Sequence, residues 1–186
     1  MLIELHCLRH GQPEQRGCLL GRTDCALTKQ GWQDMKRAVG KLPTFDIITT
    51  SPLRRCRAFA EDLAALCKVP IVVSSSFAEM DFGDWDGLSW ERLAKEEPKK
   101  LARFWKEPAA VPPNGEQLAY FISRVREGCQ KLVARLRGTA LSTGKDLQRC
   151  LLVSHGGVIK TLVAHALGIP MEDGSFVRRL DLSYAS

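Results

Sequence analysis

The chain has 186 residues, 45% of them apolar and 26% charged, a globular mix that excludes a disordered or fibrous protein. Its 27 basic residues outnumber its 21 acidic ones, a net charge of +6 that suits either a basic surface or a cleft attracting a small anion. Nucleic acid is not an expected partner, because the Lys and Arg are dispersed, without a basic run or an aromatic-basic pattern.

The elements follow in chain order. Residues 2–8 (LIELHCL) are a short apolar run that predicts a strand. LTKQGWQDMKRAVG then predicts a helix opened by Thr28 and ended by Gly40, with Trp32, Met35 and Val39 on one face. Strands are expected at 46–50 and 71–73, around a helix over 54–67 with Phe59, Leu63 and Leu66 at helical spacing. The segment 80–113 breaks this rhythm, carries Trp85, Trp90 and Trp105, and reads as an inserted helical flap.

The clearest helix is expected over 116–137, where Leu118, Phe121, Ile122, Val125, Cys129, Leu132, Val133 and Leu136 trace one stripe. Asn114 is its expected N-cap, with Gln117 completing a capping-box-like start. A strand at 150–154, a helix over 158–167 stopped by Gly168-Ile169-Pro170, and a strand at 180–184 close the chain. Strands alternating with helices predict an α/β fold, a three-layer α/β/α sandwich on a mainly parallel sheet, with 1–186 as one domain. The chain stops at Ser186 just after its last expected strand begins, which leaves room for a longer native C-terminus.

Seven cysteines form an odd set without C-x-x-C, against both a disulfide framework and a zinc site, so a reducing, cytoplasmic setting is expected. An early Glu4 and the lack of a long apolar run predict no signal peptide and no membrane segment.

The chemistry gathers at strand ends, where parallel sheets form their ligand crevice. LIELHCLRHGQ ends its strand in Arg9, His10 and Gly11, and LLVSHGGVI ends another in His155 and Gly156. Each His is followed by glycine, which lets backbone N–H groups approach a ligand. The helix opening at Gly156-Gly157 would aim its positive end at the same edge, if the two strands are neighbours. His6 and His165 lack this context and read as structural.

Paired histidines also suit a metal, but no third ligand stands at a usual spacing, and Arg9 would repel a cation, so no metal or other cofactor is expected. Arg9 suits a phosphate, which a guanidinium matches bidentately. IITTSPLRRCRAFAE adds Arg54, Arg55 and Arg57, one of which should point back at the crevice. FAEMDFGDWDGLSW offers Glu79, Asp81, Asp84 and Asp86 as candidate proton donors, since a carboxyl beside a phosphate dianion can protonate a leaving oxygen.

Taken together, RHG at 9–11, SPLRRCRAFA at 51–60, AEMDFGDWDG at 78–87 and LLVSHGGVI at 151–159 resemble the histidine phosphatase superfamily over nearly the whole chain. That family includes the cofactor-dependent phosphoglycerate mutases. The resemblance implies a phosphoglycerate mutase-like fold, with His10 as the nucleophile, Glu79 as the general acid, and Arg9, Arg55 and His155 around the phosphate. Arg55 is the position four residues after the motif serine. Many members carry an Asn after RHG that touches the phosphate; here the loop reads QPEQRGCLLGRTD, and Arg16 or Arg22 would take its place. Gly156 and Arg22 complete the expected substrate-binding set.

The compact length, the FGDWDG turn and PPNGEQL at 112–118 resemble the α-ribazole phosphatase branch. The implied partner is a small anionic phosphate ester. Two alternatives stand beside hydrolysis: a mutase-type phosphotransferase, and a non-catalytic module that only binds a phosphorylated ligand.

Overall fold

The computed structural model describes residues 1–107, 109–171 and 180–186. Within them, four strands form one parallel sheet: β1 (Leu2–Arg9), β2 (Ile47–Thr50), β3 (Ile71–Val73) and β4 (Leu147–Ser154), in the order β1-β4-β2-β3. β4 is central. Its Cys150 and Leu152 face one core and its Leu151 and Val153 the other, so an unbroken apolar run is buried on both sides.

One core lies under α1 (Lys29–Val39) and α2 (Arg54–Cys67), built on Met35, Phe59, Ala60 and Ile48. The other lies under α5 (Leu118–Thr143) and α6 (Gly156–Ala166), built on Phe121, Val125, Leu132 and Leu162. The expected three layers are therefore present. α2 has no side-chain cap at its start. Burying Phe59 contributes about 1.5–3 kcal/mol, more than the ~1 kcal/mol a cap supplies. Packing holds this helix.

Several element boundaries differ from expectation. α5 starts at Leu118, and Asn114 does not cap it: its backbone is left-handed (φ 56°) and its amide donates to Asp84 at 2.9 Å. α5 also runs past Arg137, through Gly138 to Thr143, because Leu136 and Ala140 keep its buried face supplied. α6 begins at Gly156 rather than Val158, directly after β4. The expected strand at 180–184 is not formed. Residues 180–186 run beside the end of β1 with two backbone bonds, Arg9 N–H to the Ser186 carbonyl at 2.8 Å and Ala185 N–H to the His10 carbonyl at 3.3 Å. Those two bonds do not make a ladder.

Between β3 and α5 lie α3 (Trp90–Glu96) and α4 (Pro98–Lys106), preceded by a short 3₁₀ turn at Gly83–Trp85. The Trp85 ring is buried edge-on against Phe104, with centroids 5.7 Å apart, and seats these helices on the α5 side. No described helix is long and apolar enough to cross a membrane.

Candidate active site

β1 and β4 are hydrogen-bonded neighbours with Arg9 paired to Ser154, so the residues that follow them, His10 and His155, leave the sheet side by side. Their rings meet edge to face with centroids 5.2 Å apart. Gly11 follows His10 because a Cβ there would lie 2.2 Å from the Gly31 carbonyl of α1. The chain has no room for a side chain at the turn.

The His10 ring is fixed by its neighbour: Nδ1 lies 2.8 Å from the Gly11 carbonyl. A carbonyl only accepts, so Nδ1 carries the proton and Nε2 keeps its lone pair. Burial, Arg55 and Arg9 push the His10 pKa down to about 3, against a partial upward pull from the Gly11 bond. His155 is also held well below the ordinary histidine range, by burial first and then by Arg55, His10, Arg9 and Arg124. Its Nε2 lies 2.7 Å from Ser51 Oγ, which also accepts the Leu53 N–H at 3.2 Å. Both imidazoles are neutral.

That state makes a pH prediction. In the unfolded chain the histidines take up protons below about 6.5, whereas folded His10 does so only near 3. Stability from this source is full above 6.5 and is lost as pH falls toward 3. Urea midpoints measured from pH 7 down to pH 4 should fall steadily once below about 6.5; a midpoint that rises over that range would contradict the buried neutral pair.

Arg55, from the first turn of α2, is fully buried. Its Nη1 donates to the Thr23 carbonyl at 2.7 Å and its Nη2 to the Gly21 carbonyl at 2.8 Å and the Leu20 carbonyl at 3.2 Å. Arg9 donates to the Leu182 carbonyl and lies 4.2 Å over the Tyr184 ring. Nε of each guanidinium is buried with no acceptor among the described residues. Two unpaired cationic N–H groups beside a neutral imidazole are a place for an anion. Arg54 and Arg57 play no part: the Arg54 side chain is exposed, and Arg57 pairs with Glu61 at 2.7 Å on the outer face of α2.

The four acids separate by what they touch. Asp86 accepts from Gly21 N–H at 3.2 Å, Thr23 N–H at 3.0 Å, Thr23 Oγ1 at 2.5 Å and also Arg22 N–H, anchoring the loop whose carbonyls receive Arg55. Asp84 accepts from Asn114, and Asp81 from Gly83 N–H at 2.8 Å. Glu79 alone of the four lines the cavity that contains His10. Its Oε2 accepts from Gly157 N–H at 3.1 Å, and its Oε1 from Met80 N–H at 3.1 Å. A Cβ on Gly157 would sit 2.4 Å from Oε1. The carboxylate, rather than an open space for phosphate, therefore occupies the first turn of α6.

The cavity holds about 320 Å³. Arg9, His10, Glu79, Gly156 and Gly157 line it together with Lys160 and with aromatic side chains that include Phe82, Trp90, Trp105 and Tyr184. Arg55 and His155 lie behind this lining. Arg22 is not brought to it: its side chain is exposed, 3.9 Å from Asp81, and Arg16 is exposed as well. The expected substitution for the missing Asn is thus not seen for either arginine, because the Asp86 anchor turns the 21–23 backbone inward and leaves the Arg22 side chain outside.

Ser51 entered the sequence reading only as the serine of its motif, and Lys160, Tyr184 and the Arg124–Glu116 pair were not part of it. Of these last, only Arg124 carried a signal, a cation on the flank of the apolar stripe between Phe121 and Val125. Among the described residues, no group of three or more His, Cys, Asp or Glu is placed to hold a metal ion. All seven cysteines are unpaired.

Comparison with known proteins shows the family. The family profile of the histidine phosphatase superfamily (branch 1) matches residues 5–186. A bifunctional protein of Mycobacterium tuberculosis is 31% identical over 185 residues, covering 96% of this chain and 47% of that protein. The chain thus spans about half the length of that relative. The adenosylcobalamin/alpha-ribazole phosphatase of Escherichia coli is 28% identical over 177 residues, covering 91% of this chain and 82% of that one. Among solved structures, mycobacterial glucosyl-3-phosphoglycerate phosphatase in complex with inorganic phosphate superposes with a TM-score of 0.79 at 27% identity, covering 97% of this chain and 85% of that one.

Proposed function

The chain belongs to the histidine phosphatase superfamily, and we propose that within it the protein hydrolyses a small phosphate monoester through a phosphohistidine. One observation carries the reading: a neutral His10, with Nδ1 tied to a carbonyl and Nε2 bearing its lone pair, stands beside two buried guanidinium groups whose Nε protons have no acceptor among the described residues. Phosphoryl transfer needs a nucleophile in line and cations around the equatorial oxygens. Here Nε2 of His10 forms the bond to phosphorus while the ester P–O bond breaks. Glu79 gives its proton to the departing oxygen. Glu79 then takes a proton from water, the water oxygen bonds to phosphorus, the P–N bond breaks, and inorganic phosphate leaves. Arg9, Arg55 and neutral His155 stabilise the transferring group.

For the substrate, we propose α-ribazole 5′-phosphate. Relatives named for that activity support it, and so does the cavity wall. Trp90 and Trp105 stand 5.9 Å apart at its mouth, both well exposed for tryptophan, and would cover the face of a flat ring. Residues 80–113 are proposed as a flap over the site, and a cytoplasmic setting as the compartment, in keeping with the unpaired cysteines.

The test is a panel of phosphate esters containing α-ribazole 5′-phosphate, p-nitrophenyl phosphate and 3-phosphoglycerate, run with and without excess EDTA. Phosphate release that survives EDTA and is fastest with α-ribazole 5′-phosphate is the expected result. Release from other esters only would remove the substrate assignment and leave the phosphatase standing. Phosphoryl exchange without release would establish the mutase reading, and binding without turnover the non-catalytic one.

A further inference from the structure

Glu79 sits in a segment with little regular structure of its own. A 3₁₀ turn at Ser75–Phe77 leads into it, Ala78 is extended, and no strand or long helix runs through it. A general acid must nevertheless be held close to one position, since a misplacement of ~1 Å costs roughly 10²-fold in rate.

The segment is held from α5 by Arg124. Its Nη1 donates to the Ser76 carbonyl at 3.1 Å and the Ala78 carbonyl at 2.8 Å, and its Nη2 to the Glu79 carbonyl at 3.0 Å. The remaining donors fork onto Glu116, Nε to Oε1 at 2.7 Å and Nη2 to Oε2 at 2.9 Å. Glu116 grips the chain on the other side of Glu79. Its Oε2 accepts the Asp81 N–H at 3.2 Å, and its own N–H donates to the Asp81 carbonyl at 2.8 Å. One face of the guanidinium packs 4.9 Å from the Phe121 ring, which lines the cavity. Arg124 and Glu116 do not line it.

We infer that the Arg124–Glu116 pair is a positioning device that fixes the Glu79 carboxyl at the point where the leaving oxygen is protonated. The inference rests on the reading of Glu79 as general acid. The mutual neutralisation of the pair separates it from the phosphate-binding arginines: its guanidinium, Nε included, is spent on backbone carbonyls and one carboxylate, whereas Nε of Arg9 and of Arg55 has no acceptor among the described residues, so Arg124 has the geometry of a clamp rather than of an anion site.

The experiment uses leaving groups of different basicity, because a good one such as p-nitrophenolate needs little protonation and an alkoxide needs much. Arg124→Met should lower kcat on alkyl phosphates by roughly 10²-fold and on p-nitrophenyl phosphate far less, with KM shifting little. Glu116→Gln, which keeps the shape and weakens the fork, should move the same way by a smaller factor and covers the case in which Arg124→Met does not fold. Glu79→Gln is the reference for complete loss of the proton donor. If Glu79→Gln discriminates between the two ester types while Arg124→Met and Glu116→Gln lower both by the same factor, the pair is structural only and the inference fails. If Glu79→Gln itself shows no discrimination, the general-acid reading fails and the inference falls with it.

Discussion

His10→Ala should lose turnover by on the order of 10⁴–10⁶-fold, the scale of removing a catalytic nucleophile. The same protein should take up no label from a phosphorus-labelled ester. Wild type quenched in alkaline detergent during turnover should carry label that survives alkali and is released by acid. A phosphoramidate behaves so, whereas an acyl phosphate on Glu79 would be lost in alkali. The linkage is expected at Nε2, because Nδ1 is committed to the Gly11 carbonyl at 2.8 Å. Alkali-stable label retained in His10→Ala, or activity within tenfold of wild type, would assign the nucleophile elsewhere. The substitution deletes a ring from a buried pair, so a thermal melt should confirm that the fold survives.

Arg55 substitutions should give the second largest effect, and through two separable routes. Arg55→Ala removes the cation proposed to stabilise the phosphoryl group and also strips donors from the Leu20, Gly21 and Thr23 carbonyls. Each carbonyl left unsatisfied in the interior costs about 1–3 kcal/mol. A fall in kcat/KM of roughly 10³–10⁵-fold, the scale of an arginine that stabilises a transferring phosphoryl group, should therefore come with a lowered melting temperature. Arg55→Lys separates the two. It keeps the charge and loses the fork, so turnover should remain strongly impaired. Inorganic phosphate, which should raise the melting temperature of wild type by binding the folded state, should raise that of Arg55→Lys much less. Full turnover and undiminished phosphate protection in Arg55→Lys would reduce Arg55 to a tie between α2 and the 20–23 loop.

The sequence by itself determined the layers and the sheet edge at which His10 and His155 emerge. Apolar runs of strand length and stripes of helical period encode which face of an element is buried, and that is local information. α2 and β3 fall at their expected boundaries, and His10 and His155 follow the strands they were expected to follow. The glycines of RHG and SHGG were legible too, and they stand where a side chain would collide: Gly11 against the Gly31 backbone, Gly157 against the Glu79 carboxylate.

Tertiary structure alone decided which of several similar residues reaches the cavity. Four acids stand within eight positions, and nothing local separates them. Glu79 is distinguished by a bond to Gly157, 78 residues away in the chain, while Asp86 is drawn into the 21–23 loop. Arg22 had the right charge and place for a phosphate ligand and was turned outward by that same anchor. Asn114 had the right side chain for an N-cap and was pulled to Asp84 instead. The protonation states of the two histidines follow from burial and from Arg55, which α2 delivers beneath them. Hydrogen-bonding partners and local dielectric depend on residues far apart in the chain, so periodicity and spacing cannot encode them; a short-range pattern says where a side chain starts, and the folded surroundings set what it can donate, accept or hold.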